Sequence, residues 1–107
     1  MVRFTNEDMK KELKSYLKKM NTKFKIEKAI LFGSRARGDF LLSSDVDLLL
    51  VSKDFKAVPF RTRLSEAIDW WSGCVDLEVL CYSPTEYEKK KKQLGIVQQA
   101  VKEGIEI

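Results

Sequence analysis

The chain has no histidine and only two cysteines among its 107 residues, and each shortage removes a class of chemistry. Without imidazole, Ser-His and Cys-His nucleophilic catalysis and histidine-ligated metal centres are excluded. Cys74 and Cys81 are too few and wrongly spaced for a metal knuckle. A lone disulfide is not expected in a reducing compartment, so both are read as buried free thiols. No apolar run approaches the roughly 18 residues that span a bilayer. The opening MVRFTNEDMKKELK lacks the apolar block of a secretory signal, which sets the expectation of a cytoplasmic protein without membrane contact. Repeats, linkers and low-complexity tracts are also missing. Whatever chemistry the chain performs must rest on carboxylates, hydroxyls, lysines or a bound metal.

What is present is a globular balance of 44% hydrophobic and 34% charged residues. The length fits one domain over residues 1–107 with a single core. It is too short for two substrate-binding lobes, so a second lobe is expected from another chain. A net charge of +4 favours anionic partners such as nucleotides, nucleic acid or an acidic protein, without choosing among them. Abundant lysine and glutamate is also a pattern of thermophilic proteins.

Asn6 can cap a first helix that carries Glu7 and Asp8 in its opening turn, with Met9, Leu13, Leu17 and Met20 recurring on one side. Residues 26–32, IEKAILF, read as a strand that stops at Gly33, where GSRARG opens a short helix. Residues 46–51, VDLLLV, are apolar on both faces, which places this strand in the middle of a covered sheet. Pro59 suits the first turn of a helix whose apolar stripe is Phe60, Leu64, Ala67, Ile68 and Trp71, with a stop near Ser72-Gly73. A third strand, VDLEVLCY at 75–82, sets Val75, Leu77, Val79 and Cys81 on one face against Asp76, Glu78, Leu80 and Tyr82 on the other. Ser83-Pro84-Thr85-Glu86 is a capping box with proline in the first turn. A last helix carries Val97, Ala100 and Val101 and stops at Gly104. This order gives an α/β (α+β) fold, a small mixed sheet with helices packed on it.

Asp45 and Asp47 stand at the head of the second strand, where the pleat points both carboxylates to one face. Two carboxylates that close raise each other's pKa and resist joint ionisation, a conflict that a divalent cation removes. Hard oxygen donors suit Mg²⁺ or Mn²⁺, which keep waters and take further ligands from substrate phosphates. An Asp-x-Asp pair alone is equally a solvated, turn-forming pair beside Ser43-Ser44. The upstream turn adds specificity. Gly33-Ser34 follows a strand and leads into a helix start whose free N–H groups can hold phosphate oxygens, although Gly-Ser by itself is an ordinary turn. Asp76 on the next strand offers a third acid, and if its face matches that of Asp47, three carboxylates converge beside a phosphate cradle. Such an arrangement suits two-metal phosphoryl transfer.

The segment GSRARGDFLLSSDVDLLL, with the later VDLEVL, resembles the minimal nucleotidyltransferases of the DNA polymerase beta-type nucleotidyltransferase superfamily. The pattern is a strand-terminal Gly-Ser, a short arginine-containing helix closed by glycine, Ser-Asp-x-Asp-Leu, and a third aspartate on a later strand. Gly33, Ser34, Gly38, Ser44, Asp45, Asp47, Leu48 and Asp76 match it. The resemblance implies the polymerase-beta-like fold and transfer of a nucleoside monophosphate, AMP from ATP foremost, to an acceptor hydroxyl. It implies that Gly33 and Ser34 grip the triphosphate, with Ser44 beside the nucleotide, and that Asp45 and Asp47 bind two Mg²⁺ ions. Asp76 would hold the second metal and help take the hydroxyl proton. Members of the minimal group resemble antitoxins that pair with, and modify, a helical HEPN-domain protein of ribonuclease type, which implies a hetero-oligomer.

Other residues admit blander readings. Arg35 and Arg37 can reach phosphate oxygens or the leaving pyrophosphate, or can be solvated helix residues. Glu78 shares the face of Asp76 but reads as an exposed strand acid outside the core site. Trp70 and Trp71 read as packing residues, with Trp70 the one open to a partner. The lysine run 89–92 reads as a solvated face, and Cys81 as a core residue. Two readings compete with catalysis: an antitoxin that neutralises its partner by contact, and a nucleic-acid-binding or RNA-tailing module. The latter lacks interleaved aromatic and basic residues.

Overall fold

The computed structural model describes residues 4–107. Helix α1 (Asn6–Met20) starts one residue earlier than the sequence reading placed it. Thr5 is the cap: its hydroxyl accepts from the Asp8 N–H at 3.1 Å, and the Asp8 carboxylate accepts from the Thr5 N–H at 3.1 Å. This reciprocal box satisfies two donors that Asn6 alone could not. Met9, Leu13, Tyr16 and Met20 form the buried side of α1, with Tyr16 in the core position expected of Leu17. The Tyr16 hydroxyl donates to the Ala67 carbonyl at 2.8 Å, and burial pushes its phenol above the ordinary tyrosine range.

The sheet is mixed, as its sequence suggested. Strands β1 (Lys28–Phe32), β2 (Val46–Val51), β3 (Leu77–Tyr82) and β4 (Ile105–Glu106) lie in the order β3-β2-β1-β4. β1 runs antiparallel to β2 and β4, and β2 runs parallel to β3. β2 is therefore central, and its Leu48, Leu49 and Leu50 are fully buried, Leu49 on one face and the others on the opposite one. α1 and α3 (Phe60–Asp69) cover the face that carries Leu31, Leu48, Leu50, Val79 and Cys81. α4 (Pro84–Lys90) and α5 (Ile96–Glu103) cover the face that carries Ile30, Phe32, Leu49, Val51 and Tyr82. A 3₁₀ turn at Lys53–Ala57 follows β2 and buries Phe55. Among the described residues no helix is long and apolar enough to cross a membrane.

The two-residue β4 escaped the sequence reading because no alternation can register over so short a stretch. It pairs with β1 because α5 ends at Gly104, where a Cβ would strike the Ala100 carbonyl and the Ile30 side chain. Lys28 and Glu106 pair across this edge at 3.5 Å.

The expected apolar stripe of α3 is only partly internal. Ala67 is buried, while Phe60 and Ile68 are 44% and 49% exposed. The other buried residue is Arg63, which periodicity scores as polar. Its guanidinium donates to the Val58 carbonyl at 2.8 Å, the Cys81 carbonyl at 3.2 Å and Glu86 Oε1 at 2.6 Å. The charge is tolerated because its donors are occupied and Glu86 neutralises it. Pro59 precedes the helix as its cap. At α4 the expected capping box is present, and Glu86 serves both it and Arg63, which holds the Glu86 carboxyl below its ordinary range. Trp71 is half-buried edge-on to Phe4 and Tyr16, and its indole N–H donates to the Val75 carbonyl at 2.8 Å. Trp70 also packs on the core. Of the thiols, Cys81 is buried and pushed up to about 12 by burial, whereas Cys74 is exposed, contrary to the expectation of two buried thiols.

Replacing Arg63 by alanine strands two backbone carbonyls and the Glu86 carboxylate. The expected loss is about 2–3 kcal/mol, below that of a fully enclosed pair because Glu86 keeps contact with water. A lower urea midpoint at unchanged slope would show it, and no shift would refute it.

Candidate active site

β1 ends at Phe32, which lies opposite Asp47 of β2 in the antiparallel register. Gly33 follows with φ +74° and ψ −158°, a backbone that a side chain strains, and a Cβ there would collide with Asp47 Oδ2. Glycine is thus needed for the turn and for its approach to the carboxylate. Ser34 opens α2 (Ser34–Arg37), which closes at Gly38 with φ +91°. The Ser34 hydroxyl is half-buried and makes no hydrogen bond among the described residues.

The structure corrects the phosphate-contact expectation for Arg35. Its guanidinium points inward, with the residue only 2% exposed, and donates to the carbonyls of Phe4, Leu42 and Ser44. It also stacks on Phe4 and Phe40, 5.3 and 4.6 Å from the ring centroids. Burial lowers its pKa without removing its charge. Arg35 is a structural tie between α2, the segment before α1 and the loop that delivers Asp45. Ser44 belongs to the same tie, since its hydroxyl accepts from the Leu41 N–H at 2.9 Å. Arg37 is exposed, pairs with Asp39 and Glu103 at 3.3 Å each, and lies close enough to Asp47 to favour that carboxylate's charge.

Asp45 immediately precedes β2 and Asp47 is its second residue, both half-buried. The parallel register with β3 sets Glu78, rather than Asp76, beside Asp47. Asp47 is pushed up to about 6, first by burial, then by a hydrogen bond with Glu78 and the negative charges of Glu78 and Asp45, against a smaller opposing effect of Arg37. Asp76 is exposed just ahead of β3, where its carbonyl accepts from the Val46 N–H at 2.9 Å. It is not among the groups acting on Asp47. The third acid in contact is therefore the one set aside as a bland strand residue. Its signal was in the sequence: Asp-x-Asp and Asp-x-Glu open two neighbouring strands, and only the register decides which pair meets.

Among the described residues, no three acidic or thiol side chains are already gathered into a metal-sized cluster. The donor set nevertheless fits Mg²⁺ or Mn²⁺. Asp45, Asp47 and Glu78 offer hard oxygens, and the crowding that raises Asp47 is the conflict a divalent cation relieves. Beside Glu78 runs an apolar groove of about 340 Å³ along β3, between Ile68 of α3 and Ile96 of α5. A larger cavity of about 510 Å³ lies under α1 and holds none of these acids.

The raised Asp47 pKa has a definite sign. The folded chain holds this proton more tightly than the unfolded chain, so stability from this group is full below the ordinary value of 3.8 and is lost as pH rises through about 6. Asp47→Asn in metal-free buffer is expected to leave stability unchanged near pH 4 and to raise it on the order of 1 kcal/mol above about pH 7, after allowance for solvent screening. Thermal melts across this range, repeated with Mg²⁺, check it. Mg²⁺ should narrow the difference at high pH by stabilising the wild-type protein alone.

Comparison with known proteins places this geometry. A nucleotidyltransferase domain matches residues 11–107. A Methanocaldococcus jannaschii protein named "putative protein adenylyltransferase" is 30% identical over 97 residues, which is 89% of this chain and 94% of that protein. A second protein of that organism with the same description is 44% identical over 43 residues, 38% of this chain and 43% of its own. The crystal structure of a "putative nucleotidyltransferase" from Sulfolobus solfataricus superposes with a TM-score of 0.65 at 26% identity, covering 90% of this chain and 76% of the other. With the Gly-Ser turn, the paired aspartates and this sheet on one scaffold, the chain belongs to the nucleotidyltransferase domain family.

Proposed function

We propose that the chain transfers AMP from ATP to a hydroxyl group on a partner protein. The observation that carries this reading is the placement of Asp45, Asp47 and Glu78 on one face of the sheet, with the Gly33-Ser34 turn packed against Asp47. The protein acceptor is supported by the description of the Methanocaldococcus jannaschii relative, whose length this chain nearly matches.

In this reading Gly33 lets the backbone approach the triphosphate, and the Ser34 hydroxyl and the N–H groups of Ser34 and Arg35, which the Gly33 carbonyl leaves free, bind its oxygens. Asp45 and Asp47 hold the metal, with Glu78 or Asp76 completing its ligands. Bound Mg²⁺ supplies charge neutralisation at the phosphates. Arg37, close enough to Asp47 to act on its charge, offsets charge on the departing pyrophosphate. A carboxylate of the group takes the proton from the acceptor hydroxyl, whose oxygen bonds the α-phosphorus as the bond to pyrophosphate breaks. The acceptor is carried by a partner, for which the resemblance of the motif gives a helical HEPN-domain protein and an antitoxin role.

The test is incubation with Mg²⁺ and each α-labelled nucleoside triphosphate, alone and with host lysate. ATP is expected to label a protein band, and Asp45→Asn with Asp47→Asn to lower that label at least about a hundredfold. Label in RNA would instead establish tailing. Absence of transfer with Mg·ATP still bound would overturn the transfer reading and favour an antitoxin that acts by contact. Between the third acids, Glu78→Gln is expected to cost more transfer than Asp76→Asn, and the reverse order would return that role to Asp76.

A further inference from the structure

β3 is an outer strand, and the outward backbone groups of its buried Leu77 and Val79 carry no hydrogen bond among the described residues. The Val46 N–H bonds the Asp76 carbonyl and the Ser52 N–H bonds the Tyr82 carbonyl, so even-numbered residues of β3 turn their backbone groups to β2. In a parallel ladder the odd-numbered residues therefore turn theirs outward. The Cys81 carbonyl is taken by Arg63. No hydrogen bond reaches the outward N–H and C=O groups of Leu77 and Val79 among the described residues. Natural edges of this kind are usually blunted by charge, proline or a bulge. Here the edge is instead flanked by an apolar groove, with Ile68 on one side and Ile96 on the other, 49% and 56% exposed.

We propose that this edge is the acceptor site: an extended segment of the partner protein adds to β3 as a fifth strand and presents its hydroxyl to the carboxylates. The inference rests on the protein-acceptor reading above and specifies how the acceptor is held. Main-chain hydrogen bonds to Leu77 and Val79 supply register, and the groove takes alternate side chains of the segment. Side chains that point to the face of Glu78 and Leu80 also lie on the side of Asp47. An added strand lies about 10 Å from β2, a gap that an acceptor side chain and the reacting phosphate fill together. Charge narrows the chemistry further. No lysine or arginine lines the groove, Glu78 does, and the exposed Asp69 and Asp76 adjoin its walls in sequence. The fitting segment is apolar at alternate positions and flanked by lysine or arginine.

The probe is a set of short peptides with alternating valines, a central serine, threonine or tyrosine, and a lysine at each end. Amide exchange on the full chain is expected to slow at Leu77 and Val79 by at least about tenfold when peptide is added. Methylating the peptide nitrogens on the pairing edge is expected to weaken binding by about tenfold or more, while methylating the opposite edge leaves it nearly unchanged. Failure of every peptide to bind, equal losses from both methylation series, or protection elsewhere on the chain would overturn the proposal. Ile68→Lys and Ile96→Lys alter exposed walls of the groove, and each is expected to lower protein labelling from ATP by about fivefold or more. If both variants label protein as the wild type does, strand addition is wrong and the adenylyl-transfer reading survives. If the wild type labels no protein, that reading falls, while the exchange experiment still judges the edge.

Discussion

The site depends on a buried cation that touches none of its acids. Arg35 holds the carbonyls of Phe4, Leu42 and Ser44 and lies between two phenyl rings. Those carbonyls belong to the segment leading into α1 and to the loop leading into Asp45, while Arg35 itself sits on α2, immediately after the Gly33-Ser34 turn. One guanidinium thereby fixes the distance between the proposed phosphate-holding turn and the proposed metal-holding strand. Planar, permanently charged and able to serve several acceptors at once, arginine suits this task where lysine would leave carbonyls unpaired.

Against that rigid frame the carboxylates are in tension. Asp47 is partly desolvated by the close passage of Gly33 and is crowded by Glu78 and Asp45. Local stability would improve without this crowding, which is the usual mark of a functional site. The fold tolerates it because β2 is braced on both faces by fully buried leucines and on both edges by paired strands.

Much of this was legible in the sequence. The VDLLLV strand occupies its expected residues, the Ser83 capping box is present, and the alternation in VDLEVLCY sorts correctly into one buried face and one mixed face. These features are local, set by pleat, cap chemistry and turn residues. What was missed is tertiary. Arg35 read as a phosphate contact or a solvated helix residue, and Arg63 drew no reading, because a single sequence does not reveal carbonyls converging from distant segments. Phe60 and Ile68 read as core because periodicity does not report where the covering layer ends. That Glu78 lies beside Asp47, with Asp76 two residues earlier on the same face, follows from a strand register that no residue of either strand specifies alone. Thr5 outbid Asn6 for the cap of α1 because it has Asp8 at the reciprocal position.

The two outer strands of the sheet differ in length, and this asymmetry bears on how copies of the chain can meet. β3 offers six residues of edge, whereas β4 offers two and carries the Lys28–Glu106 pair beside it. Head-to-tail stacking of sheets needs two long edges that accept each other, and the described residues supply one. Association through β3 alone joins one copy to a second and then stops, a closed pair with no free end to extend.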